Sequence, residues 1–137
     1  MMILDPDVFI DHFRGQEAAT SYIQSLPVYE RATTGITVME LYKGAANREE
    51  LATILRFLTH NRITRLSAPE AASQRAVELV HQHGLARGLG IPDALIPAIA
   101  LEGADRRVTD NVRHFWFITG VHVLRASYRP SPQHPSA

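Results

Sequence analysis

Met2-Ile3-Leu4-Asp5-Pro6-Asp7-Val8-Phe9-Ile10-Asp11 decides the fold. Three apolar residues that end on an acid read as a short buried strand. Pro6 biases Asp5 away from helical backbone angles, which suits a strand-to-helix junction. Val8, Phe9, Ile10 and Phe13 then supply the apolar positions of a helix that Gly15 stops. The chain therefore opens with a strand, an acidic corner and a helix.

The same alternation continues outward from this corner. A second helix is expected over Glu17–Leu26, ended by Pro27, and Val28–Thr34 is a weaker strand candidate. Thr37-Val38-Met39-Glu40 opens a helix that reaches Gly44, and Arg48 to Thr59 forms another with Leu51, Ile54, Leu55 and Leu58 on one face. Ile63–Leu66 reads as a strand. Ala71–His83 reads as a helix with Gly84 as its C-cap, and Leu85–Gly90 as a loop. Pro92 opens a helix through Ala100, in which Pro97 predicts a kink. Arg107–Thr109 is a strand, Val112–Phe117 a short helix and Val121–Leu124 a last strand. Short strands alternating with helices give an α/β fold with a mainly parallel central sheet flanked by helices. Residues 1–125 form one domain, and the Pro/Ser-rich stretch 126–137 is expected to be a disordered tail.

Composition narrows the function. The 137 residues contain no Cys, which excludes disulfides, thiolate metal sites and a cysteine nucleophile, and is compatible with a cytoplasmic location. No apolar run reaches the length needed to span a bilayer, so no membrane association is expected. Lys+Arg and Asp+Glu both number 14, which argues against a globally basic nucleic-acid binder but not against a basic face. Lys43 is the only lysine, which counts against Schiff-base or P-loop chemistry. Charge is also segregated along the chain: Asp5, Asp7 and Asp11 crowd the start, while Arg106, Arg107, Arg113, Arg125 and Arg129 face a single late acid, Asp110.

Several polar residues fall at strand ends or helix starts, where open parallel sheets bind ligands. Each also has an ordinary structural role. Asp5 or Asp7 fits a helix N-cap, and Thr37-x-x-Glu40 fits a capping box. Asp93 after Pro92 is routine helix-start chemistry, and Asn111 would serve as an N-cap after Thr109. Together, however, three carboxylates and an amide would converge on one sheet edge. Clustered carboxylates repel unless one is protonated or a cation lies among them. Oxygen ligands of this kind suit Mg²⁺ or Mn²⁺.

Four segments carry a resemblance to a known family. Ile3-Leu4-Asp5-Pro6-Asp7-Val8-Phe9-Ile10-Asp11, Ile36-Thr37-Val38-Met39-Glu40-Leu41 with Gly44-Ala45, Ile91-Pro92-Asp93-Ala94-Leu95-Ile96, and Val108-Thr109-Asp110-Asn111-Val112-Arg113-His114-Phe115 resemble, in order, the four motifs of the PIN-domain family, and within it the VapC-type toxins of toxin–antitoxin pairs. The resemblance implies a PIN-like fold and a Mg²⁺- or Mn²⁺-dependent endoribonuclease in which Asp5, Glu40 and Asp93 are the acidic, metal-holding core. Asn111 or its neighbour Asp110 would supply a fourth position and Thr109 a supporting one. It further implies an RNA substrate, a cognate antitoxin and a homodimer. Pro6 stands where the family usually has Thr, Pro97 where Ala is common, and Asn111 where Asp is frequent. Arg106, Arg107 and Arg113 flank the fourth motif and are candidates for binding RNA phosphates.

Two other functions fit parts of the sequence. Asp5-x-Asp7 after a strand also resembles the first motif of haloacid dehalogenase-like phosphatases, which would need Lys43 in the site and a later acidic pair. A PIN scaffold that binds RNA or a partner without cleaving it is the third possibility, motivated by Pro6 and Asn111.

Overall fold

The computed structural model describes residues 1–104, 106–109 and 115–129. The elements run β1 (Met2–Leu4), α1 (Pro6–Phe13), α2 (Glu17–Ser25), β2 (Arg31–Thr34), α3 (Gly35–Lys43), α4 (Arg48–His60), β3 (Thr64–Leu66), α5 (Glu70–Arg87), α6 (Ile91–Leu101), β4 (Arg107–Thr109) and β5 (His122–Val123). The five strands form one sheet in the order β3-β2-β1-β4-β5, with every pairing parallel. The expected α/β architecture is therefore present.

β1 lies at the centre, and its alternating side chains divide the core. Ile3 packs with Ala32 and Val108 against Leu79 of α5 and Ile96 and Ile99 of α6. Met2 and Leu4 point the other way, into a cluster with Val8 and Phe9 of α1, Ile23 of α2, Leu41 of α3 and Leu58 of α4. Two helical layers thus cover the sheet, and the connection reverses direction between β1 and β4. That reversal is the point at which ligands bind in sheets of this type.

Two local boundaries are corrected. The stretch Val28–Thr34 divides into a 3₁₀ turn at Val28–Glu30 and the strand β2. α5 continues through Gly84 and ends at Gly88, whose φ of 67° is the left-handed cap conformation that glycine accepts. Gly84 was a plausible stop by composition alone, but the packing of α5 on α6 carries the helix through it. α6 holds Pro97 as an internal residue. Pro97 has no amide with which to bond the Asp93 carbonyl four residues earlier. Past residue 125, Ala126 is fully buried in the α1–α4 cluster, with Tyr128 packed against it. Residues 130–137 of the expected tail, and residues 112–114 of the expected short helix, lie outside the described residues.

Among the described residues no helix is long and apolar enough to cross a membrane. His12 stacks on Phe57 at 3.8 Å between ring centroids, and burial holds its pKa below the ordinary 6.5. The unfolded chain therefore takes up the proton first as pH falls. The contribution of His12 to stability is complete above about pH 6.5 and declines below it. Melting temperature is expected to fall between pH 7 and pH 5, and His12→Gln should flatten that slope in thermal melts.

Candidate active site

Three chain segments meet at the carboxyl edge of the sheet around the β1–β4 reversal. Leu4 pairs with Thr109 in the parallel register, and the Asp5 amide donates to the Thr109 carbonyl. From the other side, the Thr33 hydroxyl donates to the Leu4 carbonyl at 2.9 Å. The backbone that presents Asp5 is therefore fixed by both neighbouring strands. Asp5 occupies the N-cap position of α1, but its side chain makes no capping hydrogen bond, and the residue is fully buried. The Pro6 ring at the first helical position removes an amide that needs no partner there.

Glu40 sits on α3, where the structure overturns its ordinary reading. The N-cap is Thr34, whose hydroxyl accepts from the Thr37 amide at 3.2 Å, so the helix begins at Gly35. A capping-box glutamate belongs at the third helical residue. Glu40 is well past that position. Its carboxylate stands largely in solvent, yet its pKa is raised, by desolvation first and then by the negative charges of Asp93 and Asp7. The coupling places Glu40, Asp93 and Asp7 in one electrostatic field. Asp93, partly buried, lies in the first turn of α6, which begins after Gly90 with Pro92 beside it.

Thr109 completes the edge from β4. Its hydroxyl oxygen is buried and has no hydrogen-bond partner among the described residues. A buried hydroxyl left in this state costs about 1–3 kcal/mol unless something accepts or donates to it. Oxygen donors from Asp5, Glu40, Asp93 and Thr109 match the chemistry of a hard divalent cation. The mutual repulsion registered at Glu40 is what such a cation would relieve. Among the described residues, however, no three His, Cys, Asp or Glu side chains are drawn together tightly enough to form a metal-holding group. The carboxylates share a field without forming a closed cage.

Beside Glu40 opens a groove of about 370 Å³ between α1, α3 and α4, with Pro6, Ile10, Phe13, Leu41 and Ile54 on its walls. Pro6 and Glu40 both reach it, so the groove runs up to the carboxylate edge.

Other candidate residues fall elsewhere. Arg107 opens β4 opposite Met2, at the amino edge of the sheet, and pairs with Glu30 at 3.0 Å. Arg106 donates to the Ile99 carbonyl at 2.8 Å on that same rim. Both therefore stand at the opposite edge from Asp5 and Thr109, because the strand that links them to Thr109 crosses the sheet. Lys43, which the phosphatase alternative requires, is exposed in the last turn of α3. Asp110, Asn111 and Arg113 lie outside the described residues. The contact of Tyr128 and Arg129 with Asp11 is not legible in the sequence. The Tyr128 hydroxyl donates to Asp11 Oδ2 at 2.7 Å, Arg129 Nη2 to the same oxygen at 2.9 Å, and Arg129 Nη1 lies 3.9 Å from Asp7. No local pattern announces a contact between residues more than a hundred positions apart; the only signal was the excess of late arginines over late acids.

A family model for the PIN domain matches residues 2–115. Among solved structures, the chain is similar to a toxin–antitoxin complex from Klebsiella pneumoniae, at 24% identity and a TM-score of 0.73, over 92% of this chain and 98% of that one. It is similar to VapBC-1 from nontypeable Haemophilus influenzae at 23% identity and a TM-score of 0.71, over 90% and 96% of the two chains. FitAcB from Neisseria gonorrhoeae follows at 21% identity and 0.68, over 92% and 98%. At these identities the likeness is one of fold. No curated protein matches the sequence.

Proposed function

The chain belongs to the PIN-domain family, whose members are generally nucleases, and we propose that it is a Mg²⁺- or Mn²⁺-dependent endoribonuclease acting as the toxin of a toxin–antitoxin pair. The observation that carries this reading is the convergence at one sheet edge: buried Asp5, the orphaned Thr109 hydroxyl, and Glu40 with its proton affinity raised in part by Asp93. Asp5, Glu40 and Asp93 would hold the ion, with Thr109 supporting and Asn111 or Asp110 completing the set. A divalent ion bound there supplies Lewis acidity toward a phosphodiester and lowers the pKa of a bound water.

The protein's own contribution is placement. β1 and β4 hold Asp5 and Thr109 through strand hydrogen bonds, so their positions do not depend on mobile loops. The start of α6 brings Asp93 to the edge with the positive end of the helix dipole behind it. Water activation by such an ion would leave no need for a histidine base. RNA as substrate, a homodimer and a cytoplasmic location belong to the same reading, and a cognate antitoxin is supported by the fold shared with a toxin–antitoxin complex. Membership in the PIN family displaces the phosphatase alternative.

The test is cleavage of a mixed single-stranded and hairpin RNA pool by purified protein. Cleavage should stop on chelation with EDTA and return on adding Mg²⁺ or Mn²⁺. Cleavage that persists in EDTA would overturn the metal assignment. RNA that is bound but never cut would favour the scaffold reading.

A further inference from the structure

Residues 124–129 return to the N-terminal helix and bind it with charge. Ala126 is fully buried, Tyr128 packs 5.8 Å from the Tyr22 ring, and the Tyr128 hydroxyl donates to Asp11. Arg129 spans two acids of α1: Nε and Nη2 donate to Asp11 Oδ2 at 3.1 and 2.9 Å, while Nη1 stands 3.9 Å from Asp7 Oδ2. Asp11 and Arg129 are mostly covered, with side-chain exposures of 15% and 28%, and Asp7 is more open at 45%. Asp7 follows Pro6, which shares the groove with Glu40. One arginine therefore connects the C-terminal segment to the rim of the carboxylate site.

We infer that Arg129 is a positioning residue that sets the charge of the metal site, by partly neutralising Asp7 at the edge where Asp5, Glu40 and Asp93 would hold a divalent ion. The inference rests on the metal-site reading above. Asp7 stands in the first turn of the helix that begins at Asp5, so its charge belongs to the carboxylate edge, and the guanidinium 3.9 Å from it offsets that charge. The geometry divides two jobs between the two acids. Asp11, closely bonded and mostly covered, anchors the arginine. Asp7, at longer range and more exposed, couples it to the site. Arg129 would then keep the carboxylate edge from becoming so negative that it binds the ion too tightly, at the expense of the phosphate that must share it. The C-terminal segment becomes part of the site's electrostatics without touching the substrate.

Mn²⁺ titrated into the full-length protein at low ionic strength, followed by electron paramagnetic resonance or calorimetry, separates this role from a purely structural one. Arg129→Gln should tighten Mn²⁺ binding by about two- to five-fold, the size expected of one partly screened charge. Arg129→Lys should stay near wild type. Asp7→Asn alone should weaken binding by a similar factor, and this holds as a readout even if Arg129→Gln folds poorly. In the Asp7→Asn background the effect of Arg129→Gln should shrink to less than half. Arg75→Gln, the same charge change on exposed α5, should leave the affinity unchanged. An Arg129→Gln effect no larger than that of Arg75→Gln, one that weakens binding, or one that persists without Asp7, would overturn the inference alone. A wild-type protein that binds no Mn²⁺ would overturn the metal-site reading together with it.

Discussion

Asp93→Asn is expected to remove RNA cleavage and, on induced expression, to leave growth unaffected where the wild type arrests it. Loss of residues that merely support metal ligands typically costs about 10–100-fold in affinity or activity. A carboxylate among the ligands themselves should cost at least the upper end of that range, about 100-fold in cleavage rate. The change is nearly isosteric, and Asp93 lies in the first turn of a helix whose other side chains form the core, so the fold should survive. A second readout does not depend on activity. Asp93 is one of the charges that raise the pKa of Glu40. Removing it should therefore lower that pKa toward the ordinary carboxylate value, as followed by NMR titration of the Glu40 side chain in metal-free protein. The stability consequence has a definite sign. A folded-state pKa above the unfolded one means that the folded form binds the extra proton between the two values, so acidification through that window favours folding in the wild type. Asp93→Asn should weaken this acid stabilisation. Unaltered RNA turnover in the variant would sink the nuclease assignment, and an unmoved Glu40 titration would remove the field on which the site rests.

The contrast between Glu40 and Arg129 shows what a sequence discloses and what it withholds. The strand Met2–Leu4, its acidic end and the following helix are local, and apolar run, Pro6 and Gly15 mark them directly. The parallel sheet follows because alternating strands and helices have few other ways to bury both helical layers. The position of Glu40 within α3 departs from the capping-box expectation for a definite reason. Two threonines three residues apart, Thr34 and Thr37, each offer a cap, and the pattern Thr37-x-x-Glu40 favoured the second. The β2 strand ends at Thr34 and its hydroxyl takes the Thr37 amide, so the first threonine wins. The corrected start frees Glu40 from capping and strengthens its place in the site. Charge segregation along the chain was also misleading in space. Arg129 folds back on Asp7 and Asp11, and Arg107 pairs with Glu30, so opposite charges far apart in sequence are neighbours. Linear charge blocks do not reveal such pairing, because the closing contact depends on the path of the whole sheet.

Phe9→Ala is expected to have the largest effect on stability. Phe9 is fully buried at the centre of the α1–α4 cluster, where its ring meets Phe57 edge-on at 6.4 Å between centroids. Truncating a buried phenylalanine costs about 3–5 kcal/mol, the lost transfer energy plus the cavity that rigid neighbours cannot fill. Total stability for a domain is about 5–15 kcal/mol, so the loss is about a fifth of the margin or more. Phe9 also lies between Asp5 and Asp11: its packing fixes the helix that begins at the buried carboxylate and carries both acids bound by Arg129. Denaturant melts should show the midpoint falling with little change in slope if the fold is retained, since the surface exposed on unfolding is nearly the same. Mn²⁺ affinity measured well below the melting transition then separates two effects of α1. Retained affinity would mean that the strand hydrogen bonds at Asp5 suffice to hold the site. A parallel loss of affinity would mean that helix packing holds it. The double anchoring of Asp5, by the Thr109 carbonyl and the Thr33-bonded end of β1, favours the first outcome. A midpoint shift worth under about 1 kcal/mol would show that the cavity collapses and that Phe9 is not the keystone its burial implies.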